Sequence, residues 1–196
     1  MKLPNRITVA RVLIPLVFIP ALMGDWPYGR LIALMLFLFG VASDWLDGYL
    51  ARRYHCTSNF GRLMDPLADK VLVVSALICL AVRDPQYVKA WMVVIIVARE
   101  FLVTGLRLIA LQANIVLSAE GIGKHKTAWQ MIAITSLLAF HAFNDLRNFL
   151  PKTLYQWVDY ALPPALMGVF YLATALTLIS GALYFWRHRN IVMTNV

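Results

Sequence analysis

The chain has 196 residues, of which 61% are apolar and 14% charged, with a mean hydropathy of +0.69. Soluble domains carry about 45–50% apolar and about 25% charged residues, so a water-soluble fold of this size would expose far too much apolar surface, and the surroundings must be largely lipid. The net charge of +8 does not point to nucleic acid, because Lys and Arg are dispersed between apolar runs rather than gathered with aromatics on one polar face.

Apolar runs close to or above the roughly 20 residues that span a hydrocarbon core fall at about 9–24, 30–52, 67–83, 88–111, 127–144 and 162–186. They lack the alternation of a lipid-facing barrel strand, which predicts an all-α integral membrane protein with six transmembrane helices. The amino end carries Lys2, Arg6 and Arg11 ahead of an apolar stretch, in the manner of a signal peptide. Pro15 and Pro20 interrupt that stretch, however, and another membrane segment follows, so it is read as retained. Residues 1–11 are expected to lie along the interface, with Leu3, Ile7 and Val12 set against Arg6 and Arg11. Turn residues mark short connections at 24–29, 83–85 and 144–151, and Pro163 with Pro164 is expected to open the last helix. No linker or repeat divides the chain, so residues 1–196 are read as a single membrane domain. Cys56 and Cys79 are read as free thiols.

With six crossings, the termini share a side with the second and fourth connections. That side collects Lys2, Arg6, Arg11, Arg52, Arg53, Arg62, Lys70, Arg99, Arg107, Lys124, Lys126, Arg187 and Arg189, against Arg30, Arg83, Lys89, Arg147 and Lys152 on the other. Positive charge marks the cytoplasmic face, so both termini are expected there.

The chain has only ten acidic residues, and four of them fall in one stretch, SDWLDGYLARRYHCTSNFGRLMDPLADK. Asp44 and Asp47 stand three apart near the end of one apolar helix, and Asp65 and Asp69 four apart at the start of the next, so each pair shares a helical face. Four carboxylates at a membrane boundary repel one another and lose hydration unless a cation neutralises them, and oxygen ligands of this kind suit Mg²⁺ or Mn²⁺. Blander roles exist for individual residues. Asp65 before Pro66 has the form of a helix N-cap, and Asp47 could pair with Arg52 or Arg53. Gly48 and Gly61 either admit a bulky ligand to the backbone or let helices pack closely. Arg52, one turn beyond Gly48, offers a planar fork for a diphosphate or snorkels to the interface. His55 is read as a loop residue.

The pattern Asp44-x-x-Asp47-Gly48-x-x-Ala51-Arg52, eight residues, Gly61-x-x-x-Asp65-x-x-x-Asp69 resembles the signature of the CDP-alcohol phosphotransferase family, without departure in residue type or spacing. The resemblance implies a six-helix membrane enzyme, a homodimer, that moves a phosphatidyl or phospho-alcohol group from a CDP-linked donor to an alcohol and releases CMP. By position it makes Asp44, Asp47 and Asp65 metal ligands and Asp69 the general base, also touching a second metal. Gly48, Arg52 and Ser58 match positions that bind the CDP part of the donor, and Gly61 lines the same pocket.

The acceptor must be read from the rest of the chain. Arg99, Glu100 and Arg107 lie in the fourth apolar run, and Lys124 and Lys126 open the fifth. Arg99 is a turn or more inside its run, and Glu100 beside it does not share its face, so a neighbouring helix or a ligand has to complete the arrangement. A basic group formed by Arg99, Arg107, Lys124 and Lys126 suits an acceptor that already carries a phosphate; ordinary positive-inside charge is the alternative. LPNRITVARVLIP, DGYLARR, DPLADKVL, AREFLVTGLR and IGKHKT also resemble the bacterial branch that makes phosphatidylglycerophosphate from CDP-diacylglycerol and glycerol 3-phosphate. Inositol phosphate, serine or phosphatidylglycerol as acceptor would use the same aspartates. This resemblance implies a multi-pass protein of the bacterial inner membrane, working at its cytoplasmic side. A transporter would instead spread its charges through several helices toward both faces.

Overall fold

The computed structural model of the chain describes residues 3–54, 59–112 and 121–194, and the side chains of residues 13–43, 70–108, 110 and 126–187. Ser58, His55 and Cys56 lie outside the described residues. Those described form six α-helices, α1 (Leu3–Met23), α2 (Gly29–Tyr54), α3 (Asn59–Arg83), α4 (Ala90–Gln112), α5 (Gly121–Asp145) and α6 (Lys152–Thr194), with a 3-10 turn at Arg147–Phe149 and no strand among them. Packing closes a ring: α1 lies against α2 and α3, α2 against α5, α5 against α6, α6 against α4, and α4 against α3.

Side-chain contacts between chain-distant segments gather the ends of α1, α3 and α5 and the start of α2 at one end of this ring. Arg83 of α3 donates to the Leu22 carbonyl at the end of α1 (2.7 Å). Asp145 at the end of α5 accepts from the backbone N–H groups of Arg30 (3.0 Å) and Leu31 (3.2 Å), capping α2 from another helix. Just beyond α3, Asp84 meets His141 of α5 at 2.7 Å, with both residues buried. The adjoining half of the ring holds the main apolar core, including Phe18, Leu22, Phe37, Leu77, Leu80, Met92, Ile96, Leu137, Leu138 and Phe170. On α3 the buried positions 72, 73, 76, 77 and 80 recur as one helical face.

Toward the opposite end the inward stripe changes character. On α6 it runs from Leu166, Phe170 and Ala173 to Thr174, Thr177 and Ser180, all buried, whose hydroxyls donate to carbonyls three or four residues earlier in their own helix. Outside the ring the surface is apolar: Leu16, Met35, Phe39, Val82 and Val94 are each more than 60% exposed. Among the described residues one helical stretch, Lys152–Arg187, is long and apolar enough to cross a membrane by length and composition, with shorter apolar segments at Leu13–Met23 and Gly29–Ser43.

Several boundaries differ from the apolar runs. Pro163 and Pro164 do not open the last helix; they lie inside α6, which starts at Lys152. A proline deprives the carbonyl four residues earlier of its donor but does not end a helix that is held by its neighbours on both sides. At 43 residues α6 is about 65 Å long at 1.5 Å per residue, roughly twice the thickness of a hydrocarbon core. No break separates the amino-terminal segment from the first apolar run, since α1 is continuous from Leu3, with Pro4 in the first turn where its missing N–H is not needed. In α3 the helix begins at Asn59, which puts Asp65 at its seventh residue and removes the N-cap explanation for that side chain.

Candidate functional site

Asp44, Asp47, Gly48 and Arg52 occupy the last three turns of α2, and Gly61, Asp65 and Asp69 the first three of α3. Their side chains lie outside those described, as does that of Lys124 in α5. What can be followed is how the two helices meet. A side chain at Gly40 of α2 would collide with Leu72 Cδ2 of α3, with Ile14 of α1 next to it at 3.7 Å. Gly40 is one turn before Asp44, and Leu72 one turn after Asp69. The glycine therefore lets the acidic segments of α2 and α3 leave a common point of contact. The donor set on those segments, four carboxylates and no sulfur or imidazole, fits a hard divalent cation by its chemistry. Among the described residues no group of three His, Cys, Asp or Glu could hold a metal ion.

The charged residues of α4 and α5 form a group that crosses the inside of the ring. Glu100 lies at its centre. Its Oε2 accepts from Lys70 Nζ of α3 at 2.7 Å, while its Oε1 pairs with Lys126 Nζ of α5 and lies 3.5 Å from Arg99 Nη1. Arg99 Nη2 also reaches Ser180 Oγ of α6 at 3.3 Å. Three helices thus meet at one carboxylate and α6 joins them through Arg99, although α4 and α5 are separated in the ring by α6. Lys126 is only 1% exposed, a burial that a lysine tolerates only when its charge is compensated.

Room for Arg99 comes from Gly181: a Cβ there would stand 2.9 Å from Arg99 Cγ. Arg99 Nε is buried and has no hydrogen-bond partner among the described residues. Arg107, two turns further along α4, is exposed and places its guanidinium 5.7 Å from the centre of the Tyr184 ring, a cation–π contact. Arg99 and Lys126 are therefore brought together on Glu100, whereas Arg107 is placed over Tyr184. Sequence reasoning anticipated that a neighbouring helix or a ligand would complete Arg99 and Glu100. It missed Lys70, which counted only as loop charge, and Ser180 and Gly181, which carry no chemical signature. The signal for Lys70 was its place beside Asp69 in an otherwise apolar run.

Comparison with known proteins gives one family and a consistent set of relatives. The profile of the CDP-alcohol phosphatidyltransferase family matches residues 1–186. A Bacillus subtilis protein named CDP-diacylglycerol–glycerol-3-phosphate 3-phosphatidyltransferase is 38% identical over 206 residues, covering 99% of this chain and 98% of its own. Proteins of the same name from Rickettsia bellii (32% over 185 residues, 94% of this chain and 93% of the relative) and Mycoplasma pneumoniae (39% over 151 residues, 76% and 63%) are also similar.

Proposed function

The chain belongs to the CDP-alcohol phosphatidyltransferase family, and from that membership we propose that it transfers the phosphatidyl group of CDP-diacylglycerol to glycerol 3-phosphate, giving phosphatidylglycerophosphate and CMP. The observation that carries this choice of acceptor is the 38% identity to the Bacillus subtilis protein of that name along 99% of the chain. The group around Glu100 supports it, because cations drawn from three helices suit an acceptor that brings its own phosphate.

Asp44, Asp47, Asp65 and Asp69 would hold a divalent cation, Mg²⁺ or Mn²⁺, which when bound would supply charge compensation at the donor diphosphate. The chain's own residues do the rest. Gly48, Arg52, Ser58 and Gly61 receive the CDP part of the donor, whose acyl chains stay in lipid. Asp69 accepts the proton of the primary hydroxyl of glycerol 3-phosphate. That oxygen forms a bond to the lipid-side phosphorus as the bond from this phosphorus to CMP breaks, and Arg52 offsets the charge that develops on CMP. A carboxylate is a weak base for an alcohol, so positioning must lower much of the barrier. Arg99, Arg107, Lys124 and Lys126 hold the acceptor phosphate. Arg99 Nε, a buried donor with no partner, supports this assignment.

The protein is read as crossing the bacterial inner membrane six times, with both termini and the aspartates at the cytoplasmic side, and as working as a homodimer. The apolar outer surface and the bias of basic residues support the placement, and the family resemblance supports the dimer. Release of CMP by the purified protein, given CDP-diacylglycerol and each candidate acceptor in turn, tests the reaction. Glycerol 3-phosphate should be used and free glycerol hardly at all. Equal use of the two would defeat the phosphate pocket, and preference for inositol phosphate, serine or phosphatidylglycerol would reassign the acceptor while leaving the family in place.

A further inference from the structure

We propose that Glu100 is a positioning residue for the acceptor: its carboxylate gathers Lys126, Arg99 and Lys70 from three helices into one anion-receiving group. This rests on the assignment of glycerol 3-phosphate as acceptor. The geometry carries it in three ways. Lys126 and Arg99 share the single oxygen Oε1, so the carboxylate orients two cations without exhausting either of them. An ammonium has three donors and a guanidinium five, and the buried Arg99 Nε has no partner. At the other end of the bundle, by contrast, the described carboxylates each face one basic side chain, Asp84 that of His141, Asp145 that of Arg30 and Asp159 that of Arg147. A purely structural pair would be expected to take that form.

The third feature is the link to α3. Oε2 holds Lys70 Nζ at 2.7 Å, and Lys70 is the residue after Asp69. Glu100 therefore ties the helix that carries the proposed base to the two helices that carry the phosphate-binding cations. Removing its charge takes away the anion that Lys70, Arg99 and Lys126 share and leaves their mutual repulsion uncompensated, so the acceptor loses both its phosphate site and its fixed relation to α3.

The test is steady-state kinetics of CMP release for Glu100→Gln, Glu100→Asp and Lys70→Gln in detergent micelles with Mg²⁺, with thermal unfolding measured alongside. For Glu100→Gln the KM for glycerol 3-phosphate should rise at least about tenfold, a loss typical of a charge-assisted contact, while that for CDP-diacylglycerol stays within about twofold. Glu100→Asp should recover part of the loss, because it keeps the charge and shortens the reach. Lys70→Gln, which leaves Arg99 and Lys126 on the carboxylate, should raise the acceptor KM less, by about threefold. A lowered unfolding temperature with both KM values unchanged would overturn the proposal in favour of a structural ion cluster. A fall in acceptor KM would also overturn it, since Glu100 would then be competing with the phosphate. Should Glu100→Gln not fold, an unchanged acceptor KM in Lys70→Gln would be enough to sink the idea. If the unmodified enzyme does not use glycerol 3-phosphate, the acceptor assignment itself has failed; if it does and the variants behave like it, only the role of Glu100 has failed.

Discussion

Where α1, α3 and α5 end, polar side chains close the bundle: Asp84 meets His141, Arg83 covers the Leu22 carbonyl, and Asp145 caps α2 while lying 3.5 Å from Arg30. In the other half, Glu100 is shared among Lys70, Lys126 and Arg99, and a buried guanidinium N–H has no acceptor among the described residues. Both regions take ions out of water, but the first balances each group locally and adjoins the main apolar core. The second concentrates cations beside helices whose aspartates make the opposite charge. A buried polar group that is satisfied contributes to one defined fold, whereas one left with unused donors is available to a ligand.

The widest separation between the halves should come from Asp69→Asn. Loss of a general base costs about 10²–10⁴ in rate, so kcat should fall by that amount while donor binding and unfolding temperature stay near those of the unmodified protein. Retention of kcat would remove Asp69 from the role of base. Chelation of divalent ions should likewise stop turnover, with Mg²⁺ or Mn²⁺ restoring it and Ca²⁺ doing so poorly, because Ca²⁺ prefers a larger and looser coordination shell.

The converse experiment is Asp84→Ala. Removing one member leaves the buried His141 ring nitrogen without its partner, at a cost of about 1–3 kcal/mol, and the loss should appear in denaturant unfolding. Molecules that remain folded should keep both KM values. A selective change in acceptor KM would mean that the two halves are coupled and the contrast between them is wrong.

Smaller effects should map the edges of the charged group. Arg99→Gln removes a charge-assisted contact worth roughly 1.5–3 kcal/mol, one to two decades in acceptor KM. Gly181→Val should move in the same direction by pressing on the Arg99 stem. Arg107 is exposed and stacked on Tyr184, so Arg107→Gln should cost only about 0.5–1 kcal/mol, a few-fold in acceptor KM. At the other end Arg147→Ala removes an exposed pair with Asp159, for which less than about 1 kcal/mol of stability and no kinetic change are expected.

Much of the architecture is legible along the chain. Among the described residues six helices cover the six apolar runs, because a run of some 20 apolar residues that satisfies its own backbone hydrogen bonds does so as a helix. The boundaries were less legible. Polar turns such as those of residues 59–66 and 152–161 are helical although no apolar periodicity announces them, and the prolines of α6 lie within a helix rather than at its start. Neighbour packing outweighs the loss of a hydrogen bond there, and packing has no local signature.

The carboxylate chemistry could be read directly, since residue type and a spacing of three or four along a helix place Asp44 with Asp47 and Asp65 with Asp69 on shared faces wherever the helices go. Which cation meets which anion could not. Lys70 and Glu100 are 30 residues apart, and their meeting depends on the rotation of α3 and α4 about their own axes. Each residue step turns a helix by about 100°, so a shift of one position would leave the same composition and hydropathy while pointing Lys70 elsewhere. Ring closure through α1, α3, α4, α6, α5 and α2 sets those rotations, which is how Glu100, chemically ordinary in the sequence, comes to stand among Lys70, Arg99 and Lys126.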